Sequence, residues 1–162
     1  MKDKFLIKTD HGEFYAKIKY SKRARGQKLD YGEYVLVIAV CGDGWFLEAA
    51  RQIKFDGEKV VFVHVTYLPF LDSLGELKSK PTQHSTKELL ALGIQPDFIV
   101  CRSEHHIDDI RRDKIAMFCN VSKEDIIANP NLESIYELPL YLENQDFGNK
   151  ILKKFGIEPR ES

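Results

Sequence analysis

The fold is indicated most clearly by the stretch Tyr34–Cys41, YVLVIAVC, which is almost continuously apolar. A strand carries such a run when both faces of its sheet are covered by other elements. The Gly42–Gly44 turn interrupts the run, and a helical pattern follows from Trp45 to about Ile53. The segment therefore predicts one strand, turn and helix unit of an α/β fold.

Two further apolar runs repeat this pattern. Val60–Val65 (VVFVHV) and Asp97–Cys101 (DFIVC) predict a second and a third buried strand. A helix is expected between them over about Ser85–Leu92, ended by Gly93, and Ile126–Ile127 can add a last short strand. Because strands alternate with helices, we expect a mostly parallel sheet flanked by helices.

The N-terminal residues show a different pattern, in which apolar and charged side chains nearly alternate. Phe5–Thr9 and Glu13–Tyr20, joined by a turn that contains Gly12, predict a β-hairpin with one solvated face. The cationic stretch Ser21–Lys28 then reads as a solvated loop, although it could also meet a polyanion.

The C-terminal half predicts three more helices, over Asp108–Cys119, Glu133–Asn144 and Asn149–Phe155. The first should present an apolar side formed by Ile110, Ile115, Met117 and Phe118. We expect a single domain over residues 1–162, in which residues 1–33 form the hairpin and basic loop, 34–150 the α/β core and 151–162 a tail.

The composition is that of an ordinary globular protein. Of the 162 residues, 43% are hydrophobic and 30% are charged, and no apolar run approaches the length of a membrane helix. Because 24 basic residues face 25 acidic ones, no overall field favours nucleic acid or an anionic membrane as a partner. The first residues lack the pattern of a secretory signal, so we expect a cytoplasmic protein.

The cysteines and histidines do not indicate a metal centre. Cys41, Cys101 and Cys119 contain no CxxC pair, and we expect buried structural thiols. His64 lies inside an apolar strand and is expected to be a core residue, while the pair His105–His106 has no spacing typical of a metal site.

The residues that favour a specific chemistry lie in Thr66–Ser85, the loop expected after the second buried strand. In a parallel sheet, ligands gather where such loops and helix N-termini converge. Lys78, Lys80, Gln83 and Ser85 come just before a predicted helix, and two ammonium groups with hydroxyls and an amide suit a triphosphate with a hydroxyl-rich sugar. From the residues alone, a solvated loop is the simpler interpretation.

The stretch Gly75–Glu104, GELKSKPTQHSTKELLALGIQPDFIVCRSE, resembles the pyrimidine-nucleotide-binding region of CTP synthases. Further runs fit the same family in the same order, over roughly residues 34 to 150: FLEAARQ (Phe46–Gln52), VHVTYLPFL (His64–Leu71), KIAMFCNV (Lys114–Val121) and SIYELPLYLENQ (Ser134–Gln145). The resemblance implies a truncated synthetase (amidoligase) core of P-loop-NTPase-like or Rossmann-like fold. It also implies a role in pyrimidine nucleotide biosynthesis.

Members of this family make CTP from UTP, ATP and ammonia. The residues that the resemblance assigns to UTP or CTP are Lys78, Ser79, Lys80, Pro81, Thr82, Gln83, His84 and Lys114. It assigns Arg102 and, more weakly, Leu132 to the adenine of ATP.

The chain departs from the family where the phosphate chemistry is done. It shows no Gly-rich P-loop to cradle the ATP phosphates, and Ala39 stands where the family has a metal-binding glutamate. About six residues of the family pattern are also missing at Cys41–Gly44. We therefore assign no catalytic residue and no metal site, require no cofactor, and expect Mg²⁺ only as the counter-ion of a nucleotide.

Three hypotheses follow from these observations. The first is a CTP-synthase-like domain that binds UTP or CTP without making CTP alone. The second is one subunit of a split amidoligase, whose partner supplies the P-loop and metal ligands. The third is an interaction module that joins copies of itself or of full-length CTP synthase into an oligomer.

Overall fold

The computed structural model describes residues 5–9, 12–16, 34–40 and 44–158. In chain order the strands are β1 (Phe5–Thr9), β2 (Gly12–Ala16), β3 (Tyr34–Val40), β4 (Lys59–Leu68), β5 (Phe70–Leu71), β6 (Glu76–Leu77), β7 (Phe98–Ser103) and β8 (Ile126–Pro130). The α-helices are α1 (Gly44–Phe55), α2 (Lys80–Ala91), α3 (Asp109–Cys119), α4 (Leu138–Glu143) and α5 (Phe147–Phe155).

Four of these strands form one parallel sheet, in the order β3-β4-β7-β8. The strands β1 and β2 pair in an antiparallel hairpin, and β5 pairs with β6 in a second, shorter one. The predicted α/β fold with a mostly parallel sheet and an N-terminal hairpin is thus confirmed. Residues 17–33, which include the basic stretch, lie outside the described residues.

One face of the sheet is covered by α1, α2 and α3. Leu47 of α1 and Leu89 of α2 pack with Phe62 of β4, while Ile115 and Cys119 of α3 pack against β7 and β8. Each of these three helices connects two strands that are neighbours in the parallel sheet. Because such crossover connections share one handedness, the three helices lie on the same face.

The other face is covered by α5. Phe147 and Phe155 pack on Val61 and Phe98, and the rings of Phe98 and Phe147 meet edge to face with centroids 5.3 Å apart. Burying an aromatic side chain of this size contributes about 1.5–3 kcal/mol. The helix therefore belongs to the core.

The apolar side predicted for α3 is wrong for three of its four residues. Ile115 is fully buried, but Ile110, Met117 and Phe118 are 60%, 71% and 51% exposed. The buried face runs through Ile115 and Cys119, which are four residues apart and so lie above one another on a helix. Met117 and Phe118 project away from that line.

The structure bears out the burial expected of two thiols. Cys101 and Cys119 are buried, and desolvation raises the pKa of the Cys101 thiol to about 12. Cys41 lies outside the described residues. Among the helices that the structure describes, none is long and apolar enough to cross a membrane.

Candidate functional site

The carboxyl ends of β4 and β7 carry the segments in which the sequence placed its binding residues. The β5–β6 hairpin and then α2 follow β4, while Arg102 lies near the end of β7 and α3 begins shortly after it. The crossover segments thus start at the same edge of the sheet, the edge where ligands of parallel α/β proteins bind.

The helix α2 begins at Lys80, five residues earlier than predicted. Pro81 lies in its first turn, where a missing N–H costs nothing and the fixed φ favours the helix. The motif Lys80–Gln83 is therefore the first turn of a helix and not the end of a loop. Backbone N–H groups of a first turn point out of the helix and favour an anion.

Buried polar contacts fix this first turn to β4. Thr82 is 0% exposed, and its Oγ1 lies 3.1 Å from Oγ1 of Thr66. His64 Nε2 lies 2.8 Å from Oγ of Ser85, which also donates to the carbonyl of Thr82 at 3.1 Å. His64 is thus the hydrogen-bonded core residue that the sequence predicted. The contacts fix the direction in which α2 leaves the sheet.

A second internal bond closes the turn itself. Gln83 is only 6% exposed, and its Nε2 donates to Oγ of Ser79 at 3.1 Å, parallel to the helical bond from Gln83 N to Ser79 O. The side chains of Ser79, Thr82 and Gln83 are therefore turned into the protein. Lys80, Pro81 and His84 are exposed and form the outer surface of the turn.

A carboxylate that the sequence analysis passed over organises the cations of the site. Lys78 Nζ contacts Oε1 of Glu76, and Arg111 contacts Oε2. The hydrogen bond from Lys78, followed by the charges of Lys78, Arg111 and Lys114, lowers the pKa of Glu76 against the opposing effect of desolvation. Lys114, which follows Arg111 by three residues on α3, thus adds its charge to the field at the Glu76 carboxylate.

Arg111 holds the hairpin and α3 together. Its side chain is 15% exposed and donates to the carbonyl of Leu77 at 3.3 Å as well as to Glu76. On its own helix it donates to Oδ2 of Asp108 at 2.8 Å, and Asp108 caps the N-terminus of α3 by accepting from the Arg111 N–H at 2.7 Å. One guanidinium therefore joins two elements that both carry predicted binding lysines.

The two residues predicted for an adenine lie farther along the same edge. Arg102 is exposed on β7, opposite Asn129 of β8, and Leu132 is half-buried just after β8. Beside Arg102, Tyr67 donates its hydroxyl to Glu104 at 3.0 Å, and this bond raises the pKa of the phenol. The structure thus places both predicted residues at the edge but shows no contact that joins them.

The arrangement is suited to binding anions. Lys78 and Arg111 contact one carboxylate, Lys114 lies one helical turn after Arg111, and Lys80 is exposed at a helix N-terminus; these groups share the carboxyl edge of the sheet. Within the part of the chain that the structure describes, no group of His, Cys, Asp and Glu side chains could hold a metal ion.

Sequence reasoning missed Glu76 and Arg111, although both carry a local signal. Glu76 and Lys78 are two residues apart, a spacing that places side chains on the same side of an extended chain. Arg111 precedes Lys114 by three residues, so both lie on one face of α3. What the sequence lacked was the contact between the hairpin and α3.

An open cleft of about 280 Å³ lies at the opposite, amino end of β8. It is lined by Arg112, Glu124, Ile126, Ile127, Gln145 and Lys150, none of which the sequence proposed for binding. Arg112 donates to the carbonyl of Ile126 at 2.5 Å and Lys150 to that of Glu124 at 2.8 Å. Both cations are thus engaged by backbone carbonyls, and we place the functional site at the other edge.

Comparison with known proteins agrees with the resemblance of the motifs. Residues 27–157 match the family described as CTP synthase N-terminus. The chain is 50% identical over 119 residues to CTP synthase of Clostridium kluyveri and 52% identical over 118 residues to that of Pyrococcus abyssi. CTP synthase of Methanocaldococcus jannaschii is 49% identical over 118 residues.

Each of these alignments covers 72% of this chain but only 22% of the relative. The chain thus spans about a fifth of the length of the curated relatives it matches. The matched region contains β4, the β5–β6 hairpin, α2 and α3, which are the elements that build the site. On this evidence the chain belongs to the CTP synthase N-terminus family.

Proposed function

We propose that this chain binds a pyrimidine nucleotide, UTP or CTP, at the carboxyl edge of its sheet. Lys80, on the exposed side of the first turn of α2, would take the phosphates, together with Lys78 on the hairpin and Lys114 on α3. Family membership supports the proposal, because the relatives that the chain matches are CTP synthases and a CTP-synthase-like role belongs to pyrimidine biosynthesis.

The observation that carries the proposal is the contact of the β5–β6 hairpin with α3 through Glu76, which is paired with both Lys78 and Arg111. Lys78 and Lys114 are separated in the chain by the whole of α2 and β7, yet these contacts bring their elements together, and Lys114 follows Arg111 by three residues on α3. Long lysine side chains on separate elements seldom need a common position for folding, since exposed ion pairs contribute little to stability. A polyanionic ligand would explain why these charges are brought together.

The predicted residues divide into two roles in this proposal. Lys78, Lys80 and Lys114 would contact the nucleotide, with Pro81 and His84 on the surrounding surface. The buried Ser79, Thr82 and Gln83 would position the first turn of α2 through their internal bonds. Arg102 and Leu132 remain the proposed, weaker contacts for an adenine.

We further propose that the chain does not form CTP by itself. Ala39, which pairs with His64 across β3 and β4, stands where the family pattern has a metal-binding glutamate. Charge that develops in phosphoryl transfer is stabilised mainly by such metal sites and phosphate cradles. In this proposal Mg²⁺ accompanies the bound nucleotide as its counter-ion, and no other cofactor is needed.

Two experiments test the two parts of the proposal. Isothermal titration calorimetry of the purified chain with UTP, CTP and ATP, each with and without Mg²⁺, measures binding. Incubation of the chain with UTP, ATP and ammonia, followed by measurement of CTP, tests for product. We expect micromolar binding of UTP or CTP, weaker or no binding of ATP, and no CTP product. Equal affinity for the three nucleotides would reduce the site to a general anion site, and no binding of any would refute the proposal.

A further inference from the structure

Arg111 is the residue around which the site is built, and neither the motif nor the resemblance assigns it a role. It lies on α3, three residues before Lys114, and reaches across to the β5–β6 hairpin that carries Lys78. Its side chain is largely buried, which is uncommon for a charged residue unless it is well paired.

The bonds of Arg111 join the hairpin to the helix at several points. The guanidinium contacts the Glu76 carboxylate and the Leu77 carbonyl on the hairpin, and the Asp108 carboxylate on its own helix. A planar guanidinium with several fixed donors is suited to such a role, whereas a lysine offers a single charged group.

Apart from Arg111, the hairpin is held by Phe70, which packs against the core and whose ring centroid lies 4.2 Å from that of His105, and by the bond from the Lys78 N–H to the Pro69 carbonyl at 2.9 Å. Its strands are two residues long, and only Phe70–Leu77 and Leu71–Glu76 pair between them. Leu77 is buried in the core, but the tip from Asp72 to Gly75 is exposed. A two-stranded ribbon this short is not stable alone, so its position depends on contacts with the rest of the protein, and Arg111 supplies the charged contacts among them.

We propose that Arg111 is a positioning residue for the nucleotide site: it clamps the β5–β6 hairpin to α3 and thereby fixes Lys78 beside Lys114. The inference deepens the proposed function and rests on it. Each of the three guanidinium nitrogens of Arg111 donates to a protein oxygen, so in this proposal Arg111 acts through the lysines that it positions. Its removal should harm the recognition of phosphates more than that of the base and sugar.

The test compares Arg111→Met with Arg112→Met. Arg112 is the next residue of the same helix, and its guanidinium donates to the carbonyl of Ile126, away from the hairpin. Both changes remove one positive charge and leave a long apolar side chain. The matched pair therefore separates the clamp from the general effect of losing an arginine on α3.

The first readout needs no ligand and is amide hydrogen exchange of the hairpin, residues 70–78. We expect Arg111→Met to speed exchange there by about tenfold, as for a lost charge-assisted bond, while Arg112→Met leaves it unchanged. Hairpin exchange that is the same in both variants would overturn the inference, whether or not the chain binds UTP.

The second readout is the affinity for UMP, UDP and UTP. We expect Arg111→Met to weaken UTP binding by about tenfold and UMP binding by less than about threefold, because the lysines it places serve the phosphates. Equal losses for all three nucleotides would show a merely structural role and refute the assignment. In a chain that already carries Lys78→Ala, Arg111→Met should cause little further loss of UTP affinity, since both changes act on the same contact.

Failure of the two proposals can be told apart. If the unaltered chain binds no UTP, the proposed function is wrong, while hairpin exchange still decides whether Arg111 is the clamp. If the unaltered chain binds UTP and Arg111→Met binds it equally well, the function stands and the positioning role is refuted.

Discussion

Replacing Lys80 with alanine should weaken nucleotide binding while leaving the fold almost unchanged. Lys80 is the first residue of α2 and is exposed, and the described residues give its ammonium no ion pair or hydrogen bond within the protein. Alanine is a good helix former, so the free energy of unfolding should change by no more than about 0.5 kcal/mol.

The loss in binding follows from the contact that Lys80 would make. A hydrogen bond to a charged group contributes about 1.5–3 kcal/mol, which corresponds to a rise in Kd of about 10- to 150-fold. The matched control is Lys87→Ala, which removes the same charge from an exposed position of the same helix, about 10.5 Å farther along its axis. At that distance screening leaves an effect of about twofold at most.

Calorimetry with UTP at about 0.15 M ionic strength, near physiological screening, measures both variants, and urea unfolding confirms that each is folded. The reasoning is refuted if Lys80→Ala binds UTP as tightly as the unaltered chain. It is equally refuted if Lys87→Ala loses as much affinity as Lys80→Ala, because only the overall charge would then matter.

Three further changes test the contacts that build the site and its sheet. Thr82→Val should lower the free energy of unfolding by about 1–3 kcal/mol, because the buried Thr66 hydroxyl loses its partner; urea unfolding measures this. Gln145→Leu should cost a similar amount, about 1–3 kcal/mol in the same assay, since the Gln145 amide bonds both the N–H and the carbonyl of Ala128 on the edge strand β8. Because the folded pKa of Glu76 is lowered, its charge stabilises the fold above the ordinary glutamate pKa and loses this effect as the pH falls towards the folded value. The unaltered chain should therefore have a larger free energy of unfolding than Glu76→Gln at pH 7. If this difference did not shrink in unfolding curves below about pH 4.3, the ion pairing of Glu76 would be contradicted.

Much of the fold could be predicted because its buried strands appear in the sequence as short apolar runs. The apolar runs around Tyr34–Val40 and Val60–Val65 are short, rich in β-branched residues and followed by helical patterns, which favours buried strands, and the structure places both in the parallel sheet. The boundaries were less accurate. The helix α2 begins at Lys80 because Pro81 favours the first turn of a helix, a signal that the polar character of the segment concealed.

The apolar side of α3 shows why composition alone misleads. Ile110, Met117 and Phe118 read as core residues, yet only Ile115 among the four named is buried, because the position of the sheet decides which face is covered. The same limit applies to the site. Sequence could name Lys78 and Lys114 by resemblance, but the contact of Glu76 with Arg111 depends on how the hairpin lies against α3, which no local pattern encodes.

The proposed binding of a pyrimidine nucleotide at the carboxyl edge of the sheet is tested most directly by a map of backbone amide NMR shifts as UTP is added. We predict shifts concentrated at Lys78–Gln83 and around Lys114, with little change in the cleft beside Lys150 at the amino end of β8. Shifts confined to that cleft, or no shifts at saturating UTP, would contradict the account.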